Sequence, residues 1–173
     1  RLDALGDRHA CILPIATETP AAVFALGTYG NVTSRLCGLT WGAEDLSSAV
    51  GATSARESDG ELTAPYQAVR SLALFAAHAA GVAAIETVYP ALKDARGLMD
   101  YAMRARRDGF SGMLAIHPAQ LAAIHAAFTP SKEEIAWARR VVEAFGEHPD
   151  SGALQVDGQM MDAPHLKLAK RIL

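Results

Sequence analysis

Short, continuous apolar runs alternate along this chain with longer amphipathic segments, and this alternation most limits what the chain can fold into. The runs at 10–16, 35–41, 82–88 and 113–116 lack the polar–apolar alternation of a strand with one face in water. Uninterrupted apolar strands are typical of parallel sheets covered by helices. The sequence therefore predicts an α/β fold built from four repeated strand–helix units, with the first run buried on both faces.

A predicted helix follows each of these strands. The helix from Thr63 to about Ala80 has the clearest signals, because Thr63 is in position to cap it, Pro65 suits its first turn and Gly81 can end it. The pair Asp157-Gly158 between short apolar runs predicts a hairpin. Further helices are predicted at 21–26, 93–107 and 118–128, from Ser131 onward, and from Pro164 to the end.

The length of the chain raises the question of a missing part. An eight-stranded (β/α) barrel takes about 250 residues, whereas this chain has 173 and four strand–helix units plus a tail. It forms either a small open sheet or half of a barrel. A half-barrel alone would leave two bare strand edges and an exposed layer of interior side chains. We favour the half-barrel and expect an amino-terminal half to be missing.

Composition and charge argue against several classes of binding partner. The net charge of −3 and pI of about 6.1 provide no basic field for nucleic acid or an anionic membrane. No apolar stretch approaches 18 residues, and Arg1-Leu2-Asp3 is not a signal peptide. Cys11 and Cys37 are too few for a disulfide framework, and both are predicted to be buried and inert. We therefore expect a soluble, cytoplasmic protein.

Two carboxylates follow neighbouring predicted strands. Glu18 comes after the first strand and Asp45 after the second, so both should lie at the carboxyl-end rim of the sheet, where α/β folds bind ligands. Such a pair suits Mg²⁺ or Mn²⁺. The alternative is that both stabilise the positive ends of helices. The turn Gly42-Ala43-Glu44-Asp45 adds backbone N–H groups that can hold a substrate carboxylate.

Five segments of the chain together carry a family pattern, in this order and spacing. They are Leu13–Pro20, Gly38–Leu46, Ala84–Tyr89, Gly109-Phe110 with Ala115–Pro118, and Val156–Pro164. Over nearly its whole length the chain resembles the carboxyl-terminal half of citrate lyase β-subunit-like proteins of the HpcH/HpaI aldolase superfamily. The strings Gly-Ala-Glu-Asp-Leu and Ala-Ile-His-Pro are the most specific part of this resemblance.

The resemblance implies a fold and an assembly. Members of that superfamily are (β/α)₈ TIM barrels, usually homotrimers or homohexamers, and residues 1–129 would supply the last four βα units. Residues 130–173 would form a C-terminal helical and hairpin extension that reaches toward a neighbouring subunit. The Arg that clamps the substrate carboxylate in the family lies in the earlier strands, and no residue here matches it.

The resemblance also implies site residues. Glu18 and Asp45 would bind Mg²⁺, with Mn²⁺ as a substitute, and the turn of Gly42, Ala43, Glu44 and Asp45 would contact the keto acid through backbone N–H groups. Asp162, in the C-terminal extension, would be the catalytic residue that moves a proton at the acetyl methyl group. The alternative for Asp162 is a helix N-cap, because it directly precedes the last predicted helix.

The activity implied by the resemblance is a Mg²⁺-dependent carbon–carbon lyase. It would cleave or form a β-hydroxyacyl-CoA, such as malyl-CoA, citramalyl-CoA or citryl-CoA, with an acyl-CoA and a 2-oxo acid as the other partners. Two alternatives stay open: a CoA-independent hydroxy-oxo-acid aldolase, and a non-catalytic binding or accessory subunit. Met113 and Glu86 favour the last, since relatives commonly carry Lys and Asp at these positions. His117 lies on the same rim, where hydrogen bonding to nearby loops is the expected role.

Overall fold

The chain forms two compact units. The computed structural model describes residues 4, 6, 7 and 9–173, so Arg1-Leu2-Asp3 lies outside the described residues. The first unit ends at Phe128, and the second runs from Thr129 to Leu173.

A parallel sheet forms the centre of the first unit. Its strands are β1 (Gly38–Thr40), β2 (Ala83–Glu86) and β3 (Gly112–Met113), in the order β1-β2-β3. Thr40 lies opposite Ile85, and Ile85 lies opposite Gly112. The predicted α/β class and parallel arrangement are confirmed, although each strand is shorter than its apolar run in the sequence.

The first apolar run lies parallel to β1 without forming a continuous strand. The Ile12 N–H donates to the Arg35 carbonyl at 2.8 Å, and the Ala16 N–H donates to the Thr40 carbonyl at 2.8 Å. The prediction that this run is buried on both faces is wrong, because the exposed fractions of Ile12 and Ile15 are 36% and 47%. The reason is that, within the described residues, no strand pairs with its outer edge.

The two cysteines lie in and beside this edge segment. Cys11 and Cys37 are both free and exposed, so the prediction that they are buried is wrong. The Cys37 thiol donates to the Ile12 carbonyl, with 3.4 Å between sulfur and oxygen. An apolar run in the sequence indicates a strand, but it does not show whether a neighbour covers that strand.

Among the residues that the structure describes, five α-helices accompany the sheet. Helix α3 follows Thr63, whose side chain makes no capping hydrogen bond, and α4 ends at Gly109, which has the left-handed φ of 113° that glycine tolerates. The helices are α1 (Pro20–Phe24), α2 (Glu44–Val50), α3 (Ala64–Ala79), α4 (Ala95–Asp108) and α5 (Leu121–Phe128), with 3₁₀ turns at Leu26–Tyr29 and Pro118–Gln120.

The two faces of β2 differ in how much of them the helices cover. Ala84 and Glu86 point toward the helices and are fully buried, at 1% and 0% exposure. Ala83 and Ile85 point to the opposite face and are only partly buried. Because side chains alternate along a strand, the helices cover one face of this sheet and leave the other partly open.

The second unit is a helical hairpin with a small antiparallel sheet. It contains α6 (Lys132–Glu147), β4 (Ala153–Val156), β5 (Gln159–Asp162) and α7 (Ala163–Ile172). The predicted hairpin is present, and its turn residues Asp157 and Gly158 have positive φ values of 52° and 78°. The core residues are Ala138, Val141, Phe145, Val156, Met161 and Ala169. Within the described residues, no helix has the length and apolar character needed to cross a membrane.

The caps of α6 and α3 allow a matched test. The Ser131 hydroxyl accepts from the Glu134 N–H at 3.1 Å, and the Glu134 carboxylate accepts from the Ser131 N–H at 2.7 Å. We expect Ser131→Ala to destabilise the start of α6 by about 1 kcal/mol, and hydrogen exchange of its first-turn amides to accelerate about fivefold. The control is Thr63→Ala, which removes no cap bond and should leave exchange in α3 unchanged. Equal effects of the two substitutions would contradict this account.

Candidate active site

The segments that carry Glu18 and Asp45 meet at the carboxyl end of the sheet. Glu18 comes two residues after Ala16, whose N–H is bonded to the last residue of β1. Asp45 lies in the first turn of α2, which begins four residues after that same β1 residue. Both carboxylates belong to exposed residues. The two acidic side chains therefore follow adjacent parallel segments and are open to solvent.

Thr17 joins these two segments directly. Its hydroxyl oxygen accepts from the Gly42 N–H at 3.0 Å and donates to the Gly42 carbonyl at 3.1 Å. Thr17 is completely buried. Its hydroxyl alone satisfies both the N–H and the carbonyl of Gly42. Sequence reasoning did not identify Thr17. The only sequence signal was a hydroxyl residue beside Glu18 at the end of an apolar run.

The turn from Gly42 to Asp45 offers fewer free donors than its sequence indicates. The Gly42 N–H is bonded to Thr17, and the Ala43 N–H donates to the Glu44 carboxylate at 3.2 Å. The Glu44 and Asp45 amides are at the start of α2, where helical N–H groups have no partner inside the helix. A substrate oxygen would therefore accept hydrogen bonds from the amides of Glu44 and Asp45 without displacing a partner inside the helix.

The donor set fits a hard divalent cation. Among the described residues, no three His, Cys, Asp or Glu side chains come together as a metal-binding group. This excludes, for that part of the chain, a closed zinc centre with four protein ligands. Two exposed carboxylates are instead what Mg²⁺ uses when water and substrate oxygens complete its coordination. Glu18 and Asp45 therefore fit Mg²⁺ or Mn²⁺.

The helix-end alternative fits only one of the two acids. Asp45 lies in the first turn of α2, where a carboxylate stabilises the helix dipole. Glu18 lies outside α1, and the cap of that helix is Thr19, whose hydroxyl accepts from the Ala22 N–H at 3.2 Å. Glu18 is therefore neither the cap nor an acidic residue of the first turn of α1, where a carboxylate stabilises the dipole most.

Two polar side chains near the end of β3 have structural partners. The His117 ring nitrogen Nδ1 accepts from the Ala119 N–H at 3.1 Å, which is the loop hydrogen bond expected for it. Gln120 is 3% exposed, and it accepts from the Ile116 N–H at 2.9 Å and donates to the Tyr89 carbonyl at 2.8 Å. Sequence reasoning missed Gln120, which joins the segments that follow β2 and β3.

Asp162 belongs to the second unit and is the N-cap residue of α7. One of its carboxylate oxygens lies 2.6 Å from Nδ1 of His165. The same Nδ1 accepts from the Asp162 backbone N–H at 3.3 Å, and the two residues form a capping box at the start of α7. The Asp162 side chain is 38% exposed. The structure thus places Asp162 at a helix start with a histidine partner that the sequence did not indicate.

Comparisons with known proteins agree on one family. The family model of HpcH/HpaI aldolase/citrate lyase matches residues 8–118. A citrate lyase subunit beta-like protein of Mycobacterium tuberculosis is 40% identical over 136 residues, covering 79% of this chain and 49% of the relative. The human mitochondrial citramalyl-CoA lyase is 37% identical over 76% of this chain and 38% of its own length. The chain therefore spans about half the length of these relatives, or less.

Solved structures show the same similarity. The chain resembles M. tuberculosis CitE in complex with magnesium, acetoacetate and coenzyme A with a TM-score of 0.77 and 33% identity, covering 98% of this chain and 61% of that one. It also resembles a citrate lyase from Burkholderia xenovorans with a TM-score of 0.80 and 25% identity, covering 99% of this chain and 54% of that one. With the parallel sheet and the two rim carboxylates described above, these similarities show that the chain belongs to the HpcH/HpaI aldolase/citrate lyase family.

Proposed function

We propose that this chain is part of a Mg²⁺-dependent carbon–carbon lyase that cleaves or forms a β-hydroxyacyl-CoA. The observation that carries the proposal is the pair of hydrogen bonds between Thr17 and Gly42, which joins the segments bearing Glu18 and Asp45. The family membership supports the reaction class, because relatives are named citramalyl-CoA lyase and citrate lyase subunit beta. Malyl-CoA, citramalyl-CoA and citryl-CoA are the candidate thioesters.

The sheet of the first unit is proposed to be half of a barrel. Residues 1–129 would supply the last four βα units of a TIM barrel, and an amino-terminal half would supply the rest, including the Arg that clamps the substrate carboxylate. The partly open face of β2 supports this proposal, because it would be the barrel interior. The exposed apolar side chains of Ile12, Leu13 and Ile15 support it also, since further strands would cover them.

Within the site, the side chains have distinct proposed roles. Glu18 and Asp45 would hold the cation, and the N–H groups of Glu44 and Asp45 would donate hydrogen bonds to the carboxylate of the 2-oxo acid. Gly42 and Ala43 would contribute to the same cradle through the backbone that Thr17 holds. The chemistry that Mg²⁺ supplies when bound is polarisation of the keto oxygen. The remaining requirement is a group that moves a proton to or from the acyl-CoA carbon.

Asp162 is the proposed proton-transfer residue. The capping interactions with His165 leave the Asp162 carboxylate 38% exposed, so a substrate proton can reach it. In this proposal residues 130–173 reach the active site of a neighbouring subunit in a homotrimer or homohexamer. The half-exposed state of Asp162 in a single chain supports that proposal, since a neighbour would complete its surroundings.

The substrate class is proposed from related proteins. One CitE structure contains magnesium, acetoacetate and coenzyme A, and others contain oxaloacetate or pyruvate with magnesium. A relative from Cereibacter sphaeroides that is 37% identical is named (3S)-malyl-CoA thioesterase. Hydrolysis of the thioester is therefore the second candidate. Production of free CoA without a 2-oxo acid would select hydrolysis, whereas turnover of the free acid alone would select the CoA-independent aldolase.

A cytoplasmic location is part of the proposal. Cys11 and Cys37 are free thiols on the surface. Exposed free thiols persist most readily in a reducing compartment.

The metal ligands are tested by neutral substitutions in the full-length protein. We expect Asp45→Asn and Glu18→Gln each to raise the Mg²⁺ concentration needed for half-maximal lyase activity by at least about a hundredfold. Each change removes a charged oxygen ligand while keeping the side-chain size. The control is Glu57→Gln, an exposed acid in the loop before α3, which should behave as wild type. An unchanged Mg²⁺ requirement in Asp45→Asn would rule out the assignment.

The Thr17–Gly42 connection is tested by two substitutions of similar size. Thr17→Val keeps the shape but removes both hydrogen bonds, and it should cost about 1–3 kcal/mol of stability. We also expect it to weaken Mg²⁺ binding about tenfold, because the segments bearing Glu18 and Asp45 lose their link. Thr17→Ser keeps the hydroxyl and should bind Mg²⁺ nearly as wild type. Calorimetric titration measures the Mg²⁺ affinity of both variants. Equal affinities of Thr17→Val and Thr17→Ser would contradict the proposed link.

The substitution Asp162→Asn distinguishes the two roles considered for Asp162, helix capping and proton transfer. Asn caps helices about as well as Asp, so Asp162→Asn should leave the stability of α7 unchanged. It cannot transfer a proton, and we expect kcat to fall about 10²- to 10⁴-fold with little change in KM. Thermal unfolding and steady-state kinetics of the full-length protein measure the two effects. Wild-type kcat in this variant would show that Asp162 is only a cap.

A further inference from the structure

One carboxylate of the first unit is buried and takes no part in the proposed chemistry. Glu86 ends β2, points toward the helices and is 0% exposed. It is the only charged side chain in the fully buried class among the residues that the structure describes. An ionised carboxylate withdrawn from water is stable only if the protein supplies hydrogen bonds to both of its oxygens. The partners of Glu86 therefore indicate what this carboxylate holds in place.

Both oxygens of Glu86 are bonded. Oε1 accepts from the indole N–H of Trp41 at 2.6 Å and from the Thr87 N–H at 2.9 Å. Oε2 accepts from Nε of Arg70, also at 2.6 Å. Arg70 lies on α3, Trp41 follows β1, and Glu86 ends β2. One carboxylate thus connects a helix with the ends of two neighbouring strands.

Arg70 is itself held on two further sides. Its guanidinium donates to the Asp108 carboxylate at 2.9 Å and lies 4.8 Å from the centre of the Phe110 ring. Burial opposes the charged form of Arg70, but the Glu86 and Asp108 carboxylates outweigh burial and raise its pKa. Burial, followed by the charge of Glu86, raises the pKa of the nearby Tyr101 hydroxyl. Arg70 is therefore positive and Tyr101 neutral at neutral pH.

Trp41 connects this group to the candidate active site. It is 1% exposed and directly precedes Gly42, the residue whose peptide groups bond to Thr17. The turn that leads to Asp45 is consequently held from two sides, at Gly42 and at the residue directly before it. Thr17 holds it from the neighbouring edge segment, and Glu86 holds it from the side of the helices. A shift of the Trp41 ring would move the backbone at which the turn begins.

We propose that the chain of contacts Arg70–Glu86–Trp41 is a positioning device for the turn that carries Asp45. None of these three residues would touch the substrate. The ring of Trp41 transmits the fixed position of Glu86 to the backbone of the turn, and Arg70 fixes Glu86. This inference rests on the proposed function, because the turn matters only if Asp45 and its neighbouring amides bind the metal and the 2-oxo acid.

A merely structural role would have a different signature. A buried ion pair that only contributes to folding would alter the unfolding temperature, while the folded fraction would bind metal normally. A positioning role alters the affinity of the folded protein for the cation. The readout must therefore be metal binding by protein shown to be folded at the assay temperature, for which circular dichroism is sufficient.

The test compares two equivalent tryptophan substitutions in the full-length protein. Trp41→Phe removes the N–H donor to Glu86 and keeps an aromatic ring, while Arg70 and Thr87 stay bonded to the carboxylate. Trp137→Phe makes the same change in α6 of the second unit. The probe is Mn²⁺ in place of Mg²⁺, with pyruvate present, and free Mn²⁺ is counted by electron paramagnetic resonance. We expect Trp41→Phe to bind Mn²⁺ about tenfold more weakly than wild type, and Trp137→Phe to bind as wild type.

Each outcome has a defined meaning. Wild-type affinity in folded Trp41→Phe overturns the positioning role and leaves the proposed lyase intact. A wild-type protein that binds no Mn²⁺ overturns the metal site itself and this inference with it. If Trp41→Phe does not fold, Arg70→Lys decides, because a single ammonium cannot reproduce the planar guanidinium that bonds Glu86 and Asp108 together. Weaker Mn²⁺ binding by folded Arg70→Lys supports the inference, and unchanged binding overturns it.

Discussion

A carboxylate without access to water is the constraint on which the first unit depends. Because both oxygens of Glu86 are fully buried, the fold must bring donors to them from several directions. Trp41 and Arg70 supply them, and in doing so they join the end of β1, the end of β2 and helix α3. Hydrogen bonds restrict the direction between their partners more narrowly than apolar contacts do. Glu86 therefore sets the alignment of the elements around it.

The candidate active site takes advantage of that alignment without containing Glu86. The acids proposed for the cation are exposed, as ligands that exchange water and substrate must be, whereas the residues that hold their backbone are buried. Thr17 and Trp41 hold the turn at Gly42 and directly before it. This separation lets the ligands stay accessible while the backbone that carries them stays rigid, which is the arrangement that a preorganised site requires.

The sequence predicted much of this arrangement, but with characteristic errors. The α/β class, three of the four predicted parallel strands, the order of the helices and the family were predicted correctly, since continuous apolar runs and family strings are local patterns. The cysteines were predicted to be buried and are exposed, because a run such as 10–16 does not show whether another strand lies beside it. Thr17 and Gln120 were missed for the same reason. Their partners lie 25 and 31 residues away, and no local pattern records such distant pairs.

What the sequence determined by itself was the class of fold, the family and the acidic residues proposed for the site. The fold class follows from the apolar runs, and Glu18 and Asp45 follow from their positions after two of them, whereas the family and the role of Asp162 are what the resemblance implies. Only the tertiary structure decided which polar groups are satisfied. It showed the Gly42 and Ala43 amides to be occupied, His165 to be bonded to Asp162, and Glu86 to be buried among donors from three separate segments. The physical reason is that hydrogen bonding depends on distance and direction within a few tenths of an ångström, and only the folded chain sets these.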